Sequence, residues 1–296
     1  MSSRRSWSTS RRCDVDRVSS PYPTHRRRAE ILRDRYPFAA EVLAVYLALL
    51  DVWDDAWALT QEERPRHLAP WATDRILPRV VAATEATGPE PLAKASRELL
   101  DAGRLDEALV AWLAGGELAP VERYLARASL YAPLLALGPA AAEACADDPS
   151  PRGDRRCPCC GGPPQVSFRG DAGDRLVAGR RQLTCARCGQ SWNYSASACP
   201  YCGETSGSRR TMYAERRDGP VVGRDGTEAT DGDTDPPTFP HLRIESCASC
   251  ARYLIDVDLG SDPGAVPEVD ELAALPLDLY AVDHGLTKIT PNLMGF

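Results

Sequence analysis

Eight of the eleven cysteines in this chain form four Cys-x-x-Cys pairs between residues 157 and 250. The pairs are Cys157/Cys160, Cys185/Cys188, Cys199/Cys202 and Cys247/Cys250. Two residues between cysteines allow a tight turn to direct both sulfurs at one ion, and two such turns complete the tetrahedron that Zn²⁺ and mononuclear iron favour. The eight thiols therefore predict two metal sites, each with four cysteine ligands.

The residues that follow these pairs support a metal-binding turn. Glycine directly follows the second cysteine of three pairs, at Gly161, Gly189 and Gly203. Such a turn commonly needs a left-handed backbone at this position, which glycine adopts without steric penalty. Cys250 is followed by Ala251 instead. The fourth turn thus departs from the pattern of the other three.

Two other uses of paired cysteines are less consistent with the sequence. A disulfide framework suits secreted chains, but the first 28 residues are rich in arginine and contain no apolar run of signal-peptide length. A redox dithiol usually comprises one pair beside a βαβ pattern, not four pairs in tandem. The three remaining cysteines, Cys13, Cys145 and Cys159, are expected to lie outside the ligand sets.

Four pairs can be combined into two sites in three ways: as sequence neighbours, crossed or nested. Neighbouring pairs are favoured, which assigns Cys157, Cys160, Cys185 and Cys188 to one ion and Cys199, Cys202, Cys247 and Cys250 to the other. Each half then repeats one design, a rubredoxin-like or zinc-ribbon module. Eight thiolates around two ions leave no open coordination position, so hydrolytic metal catalysis is not expected.

The spacing of apolar residues divides the chain into an α+β architecture. Apolar residues recur at intervals of three or four through most of the N-terminal half, which predicts helices near residues 29–59, 70–87, 90–101, 104–114 and 120–146. Short apolar stretches beside the cysteine pairs then predict strands at Gln165–Phe168, Leu183–Thr184, Met212–Tyr213 and Leu242–Ile244. A final helix is predicted at Val269–His284.

The predicted plan is an N-terminal all-α bundle followed by two tandem metal modules and a C-terminal helix. Its segments are a disordered extension (1–24), a helical domain (25–148), a first rubredoxin-like module (149–190), a second module (191–258) with an inserted loop (214–240), and a C-terminal helical segment (259–296). The inserted loop is acidic and rich in proline, so we expect it to be solvated.

Charge and hydropathy limit the possible partners. The net charge of −7 argues against broad nucleic-acid affinity, which requires a concentrated positive field. A nucleic-acid-binding zinc ribbon nevertheless remains an alternative, because arginines lie around the cysteine pairs, with aromatic residues available for stacking. No apolar stretch is long enough to cross a bilayer, so the expected location is the cytoplasm.

The order of motifs over about residues 156 to 296 closely resembles the formate dehydrogenase accessory protein family, FdhE. The resemblance rests on Cys157-Pro-Cys-Cys160-Gly161, Arg181-Gln-Leu-Thr-Cys185-Ala-Arg-Cys188, Trp192, Cys199-Pro-Tyr-Cys202-Gly203 and Ile244-Glu-Ser-Cys247-Ala-Ser-Cys250. It implies a cytoplasmic, non-catalytic maturation factor that contacts the catalytic subunit of formate dehydrogenase. It also implies two metal ions, iron or zinc, each held by four cysteines.

Overall fold

The computed structural model describes residues 19–170, 179–215 and 238–296, and its N-terminal part is helical. The helices are α1 (Tyr22–Arg35), α2 (Ala40–Glu63), α3 (Leu68–Arg75), α4 (Leu77–Thr87), α5 (Glu90–Asp101), α6 (Leu105–Leu113), α7 (Pro120–Leu137) and α8 (Ala141–Ala144). Helix α2 packs against α1, α4 and α7, and its apolar side chains form the centre of the bundle. Most of the predicted extension lies outside the described residues, and its last three residues belong to α1.

Two of the predicted helices are divided by proline and glycine. The segment 70–87 forms α3 and α4, with Pro78 in the first turn of α4, where a missing N–H is tolerated. The segment 120–146 forms α7 and α8, which are separated at Gly138, whose φ angle is 55°. Periodicity alone did not reveal these breaks, because the apolar stripe continues across each of them.

All seven described strands belong to one sheet. They are β1 (Pro164–Arg169), β2 (Arg181–Cys185), β3 (Ser191–Asn193), β4 (Arg210–Tyr213), β5 (Leu242–Cys247), β6 (Arg252–Asp258) and β7 (Thr287–Lys288). Their order is β3-β2-β1-β6-β5-β4, and β7 pairs with β6. Strands β1 and β6 are parallel, with Ser167 opposite Asp256. This pairing joins the strands of the first cysteine module to those of the second.

The predicted strands lie within β1, β2, β4 and β5, whereas the central strand β6 was not predicted. Its residues Tyr253 to Val257 are all buried. A strand that is covered on both faces lacks the alternation of apolar and polar residues by which a half-exposed strand is recognised.

The C-terminal segment forms two short helices, of which the first lies between the sheet and the bundle. They are α9 (Pro267–Ala273) and α10 (Leu275–Asp283). The predicted single helix breaks at Ala274, because Pro276 starts the next helix and disfavours continuation of the first. Helix α9 packs against α1 and α2 on one side and against β1 and β6 on the other.

One continuous apolar core therefore extends from the bundle through α9 to the sheet. The predicted α+β fold class, with a helical domain before a region that carries two four-cysteine clusters, is confirmed. Within the described ranges, no helix combines the length and apolar character needed to span a membrane.

Candidate metal centres

The structure brings the first predicted set of four cysteines together. The Sγ atoms of Cys157, Cys160, Cys185 and Cys188 all lie within 4.8 Å of one another. The sulfurs of Cys157 and Cys188 are 3.7 Å apart, and those of Cys160 and Cys185 are 3.4 Å apart. Zn–S bonds of about 2.3 Å in a tetrahedron place sulfurs about 3.8 Å apart. The cluster therefore has the dimensions of a four-thiolate metal site.

The second predicted set forms a separate cluster. The Sγ atoms of Cys199, Cys202, Cys247 and Cys250 also lie within 4.8 Å of one another. The Cys199–Cys250 distance is 3.9 Å and the Cys202–Cys247 distance is 3.7 Å. Both clusters combine sequence-neighbouring pairs, so neither the crossed nor the nested arrangement is present. We propose that these eight thiols are the metal ligands.

Backbone amides orient the sulfurs in the first cluster. The N–H of Gly162 donates to Cys160 Sγ and the N–H of Arg187 donates to Cys185 Sγ, each over 3.3 Å. In both cases the donor lies two residues after the cysteine. A hydrogen bond to sulfur stabilises the thiolate form, so these turns favour the charge state that binds a cation.

Each of the four Cys-x-x-Cys pairs is followed by a residue whose backbone has a left-handed conformation. The φ angles are 76°, 68° and 81° at the three glycines that follow Cys160, Cys188 and Cys202. Ala251 adopts the same conformation, with a φ angle of 54°. The fourth turn thus keeps the geometry of the others, although its residue pays a steric penalty of about 1 kcal/mol.

We expect Ala251→Gly to stabilise the second cluster by about 1 kcal/mol, because glycine removes this strain and the exposed Ala251 methyl group loses little packing. The matched control is Ala248→Gly in the same turn, where φ is not positive and added chain entropy is expected to lower stability. Thermal unfolding of the two metal-loaded variants measures both effects. Equal shifts of the same sign would contradict the assignment of strain to Ala251.

Gly162 fits against the first cluster only because it has no side chain. A Cβ atom at this position would lie 2.7 Å from Cys185 Sγ and 3.2 Å from Cys160 Sγ. We expect Gly162→Ala to reduce the metal content from two ions per chain to one, because the methyl group displaces two of the four sulfurs. Gly207→Ala is the control, since a Cβ there meets nothing within 4 Å. Metal analysis of the purified variants measures the number of ions per chain. Retention of both ions by Gly162→Ala would contradict the expected loss.

The two clusters differ in their access to solvent. All four cysteines of the first cluster are buried, whereas Cys202 is exposed and Cys250 is half-buried in the second. The first cluster lies against the helical domain, where Cys159 Sγ donates to the carbonyl oxygen of Gly138 over 3.3 Å. The second cluster lies at the surface. We therefore expect an ion bound at the second cluster to exchange with solvent more easily than one bound at the first.

Electrostatics within the first cluster favour a cation. The neighbouring thiols of Cys145 and Cys157 lower the pKa of Cys160. Burial raises the pKa of Cys185, and interaction with Cys157 raises the pKa of Cys188. Four thiols this close cannot all ionise alone, because each thiolate opposes the next. A bound cation would release the remaining protons, so we expect metal affinity to fall in acid.

Cys145 and Cys159 lie beside the first cluster but outside its set of four. Cys145 is fully buried, and interaction with Cys160 raises the pKa of its thiol. The protonated thiol can thus act as a neighbour that supports the Cys160 thiolate. The sequence placed Cys145 within the predicted helix at 120–146, whereas in the structure it follows the end of α8, and no local pattern indicates its approach to Cys160.

A third group of potential ligands contains His241, Asp262 and Asp270. In this group the guanidinium of Arg28, from α1, already supplies the positive charge. It donates to Asp262 over 2.7 Å and forms a two-atom contact with Asp270. His241 Nε2 lies 2.7 Å from Asp270 Oδ1. This cluster is an ion pair network that ties the bundle to the segment around α9, and it was not predicted from the sequence.

The chain consists of a helical domain packed on a sheet that carries two four-cysteine clusters. It therefore belongs to the class of mixed α+β proteins with candidate metal-binding turns. Within that class, residues 228–294 match the family model described as FdhE, C-terminal domain. The predicted resemblance to the FdhE family is confirmed.

Relatives of known sequence and structure agree with this family. The chain is 29% identical over 140 residues to the FdhE homolog of Aquifex aeolicus and 30% identical over 138 residues to that of Pseudomonas aeruginosa. Each match covers 47% of this chain, and the chain spans only 41% and 38% of these two relatives.

The crystal structure of the FdhE protein from Pseudomonas aeruginosa shares the fold over nearly the whole chain. The TM-score is 0.62, with 95% of this chain and 97% of the other covered at 19% identity. The helical domain therefore belongs to the shared fold, although its sequence similarity is low.

Proposed function

We propose that this protein is an accessory factor required for the formation of active formate dehydrogenase, and that it binds the catalytic subunit of that enzyme in the cytoplasm. The observation that carries this proposal is the FdhE C-terminal domain match over residues 228–294, within a chain that shares the FdhE fold. The proposed role is protein maturation, and hydrolytic catalysis at the clusters is not expected, because an ion bound by four thiols has no open coordination position.

The two clusters suit a structural role in this proposal. Each cysteine module is small, and four thiolates on one ion contribute on the order of 10 kcal/mol to the folding of such a site. The ions are iron or zinc, since both accept four thiolates in a tetrahedron. An iron ion would add the ability to change oxidation state without changing ligands.

The protein's own residues then supply a rigid surface for the client enzyme. The buried side chain of Arg181 connects the two cysteine modules, because it donates to Ser167 of β1 and to the carbonyl oxygen of Ala198, and pairs with Glu245 of β5 over 2.6 Å. This set of contacts supports the segment that leads into Cys199. The modules are therefore held as one body during binding.

Deletion of the gene tests the proposed role. We expect the deletion strain to lose most formate dehydrogenase activity while it still synthesises the catalytic subunit. Wild-type protein should restore activity, and Cys160→Ser should not. Cys13→Ser is the matched control, because it removes a cysteine outside the four pairs. Full activity in the deletion strain would contradict the proposal, and co-purification of the catalytic subunit with the wild-type protein would support the proposed partner.

The identity of the metal is open to a direct measurement. Protein purified without oxygen should contain two ions per chain, and the absorption spectrum distinguishes the candidates because ferric tetrathiolate sites are coloured and zinc sites are not. A preparation with no stoichiometric ion would contradict the assignment of the eight thiols as ligands.

The alternative of a nucleic-acid-binding zinc ribbon receives less support from the arginines around the clusters. Several of them form internal ion pairs: Arg169 with Asp256, Arg181 and Arg210 with Glu245, and Arg187 with Asp148. Of the aromatic residues considered for stacking, Trp192 is buried and Tyr201 is exposed. Binding to DNA and RNA over a salt series tests this alternative, since phosphate contacts weaken steeply as salt rises.

A further inference from the structure

A solvent-open cleft lies between the helical domain and the first cysteine module. Its volume is about 830 Å³, which falls within the range of about 300–1,000 Å³ for ligand-binding sites. The walls come from the end of α6, the start of α7, the linker before Cys157 and the segment after β7. None of the cluster cysteines lines this cleft, but it adjoins both candidate metal centres, because Arg187, Pro200 and Tyr201 of two cysteine turns belong to its lining.

The cleft has the opposite charge to the protein as a whole. Six arginines line it: Arg123, Arg127, Arg152, Arg155, Arg156 and Arg187. The acidic residues that line it are Glu117 and Asp154. Because the chain carries a net charge of −7, this excess of guanidinium groups is a local reversal of charge. It creates a potential that attracts anions into a concave, partly desolvated site.

Two of these arginines belong to the floor of the cleft and are buried. Arg187 pairs with Asp148 over 2.7 Å, so its charge is largely balanced. Arg127 donates to the amide oxygen of Gln165 over 2.6 Å and to the carbonyl oxygen of Pro291 over 3.0 Å. The partners of Arg127 in these two contacts are neutral, but Gln165 also donates to the carboxylate of Glu271 over 2.7 Å, and this carboxylate offsets part of the Arg127 charge.

The other four arginines keep their charge available within the described part of the chain. Arg152 donates to backbone carbonyls, including that of Cys159 over 2.7 Å, and Arg155 donates to the carbonyl oxygen of Tyr201 over 2.6 Å. Arg123 and Arg156 have no side-chain hydrogen bond or ion pair to any described residue. A ligand carboxylate could therefore form two-atom contacts with Arg123 and Arg156 without breaking a contact of the protein.

Two buried donors of the cleft lining also have no acceptor among the described residues. They are the indole N–H of Trp112 and the hydroxyl group of Thr290, which belong to residues that are 8% and 9% exposed. Buried polar groups without a partner are uncommon in folded proteins. Both atoms are sealed from solvent, so they do not belong to the surface that a ligand in the cleft would contact.

We propose that this cleft binds an acidic peptide segment of a partner protein. The arginines are distributed over walls from α7, the linker and a cysteine turn, and apolar residues such as Leu118 and Ile289 lie among them. An extended peptide with several carboxylates can contact such separated charges and cover the apolar surface between them.

A small phosphate ligand fits the cleft less well. The start of α7 is the place where helix geometry would favour a phosphate. However, Pro120 has no N–H to offer there, and the carboxylate of Glu122 already accepts the backbone N–H of Ala119 over 3.3 Å. A nucleic acid is disfavoured by the net charge of −7, which repels a long phosphate backbone outside the cleft.

This inference goes beyond the proposed function because it names the chemistry of the bound segment and not the protein that carries it. If the catalytic subunit of formate dehydrogenase is the partner, the cleft is one place where that subunit docks. A test with synthetic peptides does not depend on the client, so its failure would leave the proposed function standing.

The test measures binding of the full-length protein to a fluorescent octapeptide of alternating glutamate and alanine, and to the same peptide with glutamine in place of glutamate. The cleft variant is Arg123→Gln/Arg156→Gln. The control is Arg66→Gln/Arg104→Gln, which removes the same charge from exposed positions of the helical domain outside the cleft. Anisotropy titrations over a salt series, together with thermal unfolding of both variants, give the readouts.

We expect the acidic peptide to bind at least about tenfold more tightly than the glutamine peptide, and the cleft variant to lose at least about tenfold in affinity, because both changes remove hydrogen bonds between charged groups. The control should change affinity by less than about twofold, since remote exposed charges are screened. Equal binding of both peptides, or equal weakening by both variants, would overturn the proposal. Tighter binding of inorganic pyrophosphate or of a single-stranded oligonucleotide would also overturn it.

Discussion

Cys160→Ser is expected to remove one of two metal ions and to lower the unfolding temperature by more than about 10 °C, whereas Cys202→Ser should remove one ion with less than half of that effect. A buried four-thiolate site contributes several kcal/mol to folding, and 1 kcal/mol corresponds to about 2–4 °C in a chain of this size. Cys160 is fully buried, and its neighbours connect the cluster to the helical domain. Cys202 is exposed at the surface.

Metal analysis and thermal unfolding of the two variants, prepared side by side, check this expectation. A chelator added to the wild-type protein provides an independent measurement: one ion should leave quickly from the second cluster and the other slowly from the first. Equal destabilisation by the two variants, or a single release phase for both ions, would contradict the difference in burial that the structure shows between the clusters.

Glu268→Gln is expected to make stability less dependent on pH. The half-buried side chain of Glu268 lines a small pocket with Tyr46, Tyr131 and Glu271. Burial raises the pKa of Glu268 to about 7. Because this pKa is raised above the unfolded value, the contribution of Glu268 to stability is greatest below about pH 4.5 and is lost as the pH rises to about 7. Glutamine stays neutral throughout.

At pH 8 we expect Glu268→Gln to be more stable than the wild type by about 2–3 kcal/mol, because the wild type must bury an ionised carboxylate there. Near pH 5 the two proteins should differ by much less. Denaturant unfolding at both pH values measures the difference, with Glu62→Gln at an exposed position of α2 as the control. A difference that is the same at both pH values would show that packing, and not ionisation, accounts for the effect.

The cysteine clusters could be predicted from the sequence because each half-site is local. Two sulfurs, the intervening turn and the following glycine all lie within five residues, as in Cys157 to Gly161. The remaining question was which pairs combine, and the similar design of the two halves indicated the neighbouring arrangement that the structure contains. The helical domain was also recognisable from its periodic apolar residues, although its breaks at Ile76 and Gly138 were not.

The parts that could not be predicted depend on contacts between distant residues. The approach of Cys145 to Cys160, the pairing of Arg28 with Asp270, and the arginine-lined cleft arise only when the bundle and the sheet pack together. Arg187 illustrates the problem, because in the sequence it is one more arginine beside a cysteine pair. In the structure it is a buried partner of Asp148.

The parallel pairing of β1 with β6 has a consequence for biosynthesis. Ser167 and Asp256, which form a hydrogen bond of 2.7 Å across this pair, are separated by 89 residues. While the chain emerges from the ribosome, β1 lacks its central neighbour until the last cysteine pair and the strand after it have been translated. The first pair of metal-binding turns can therefore be complete, and can acquire its ion, before the sheet that joins the two halves is closed.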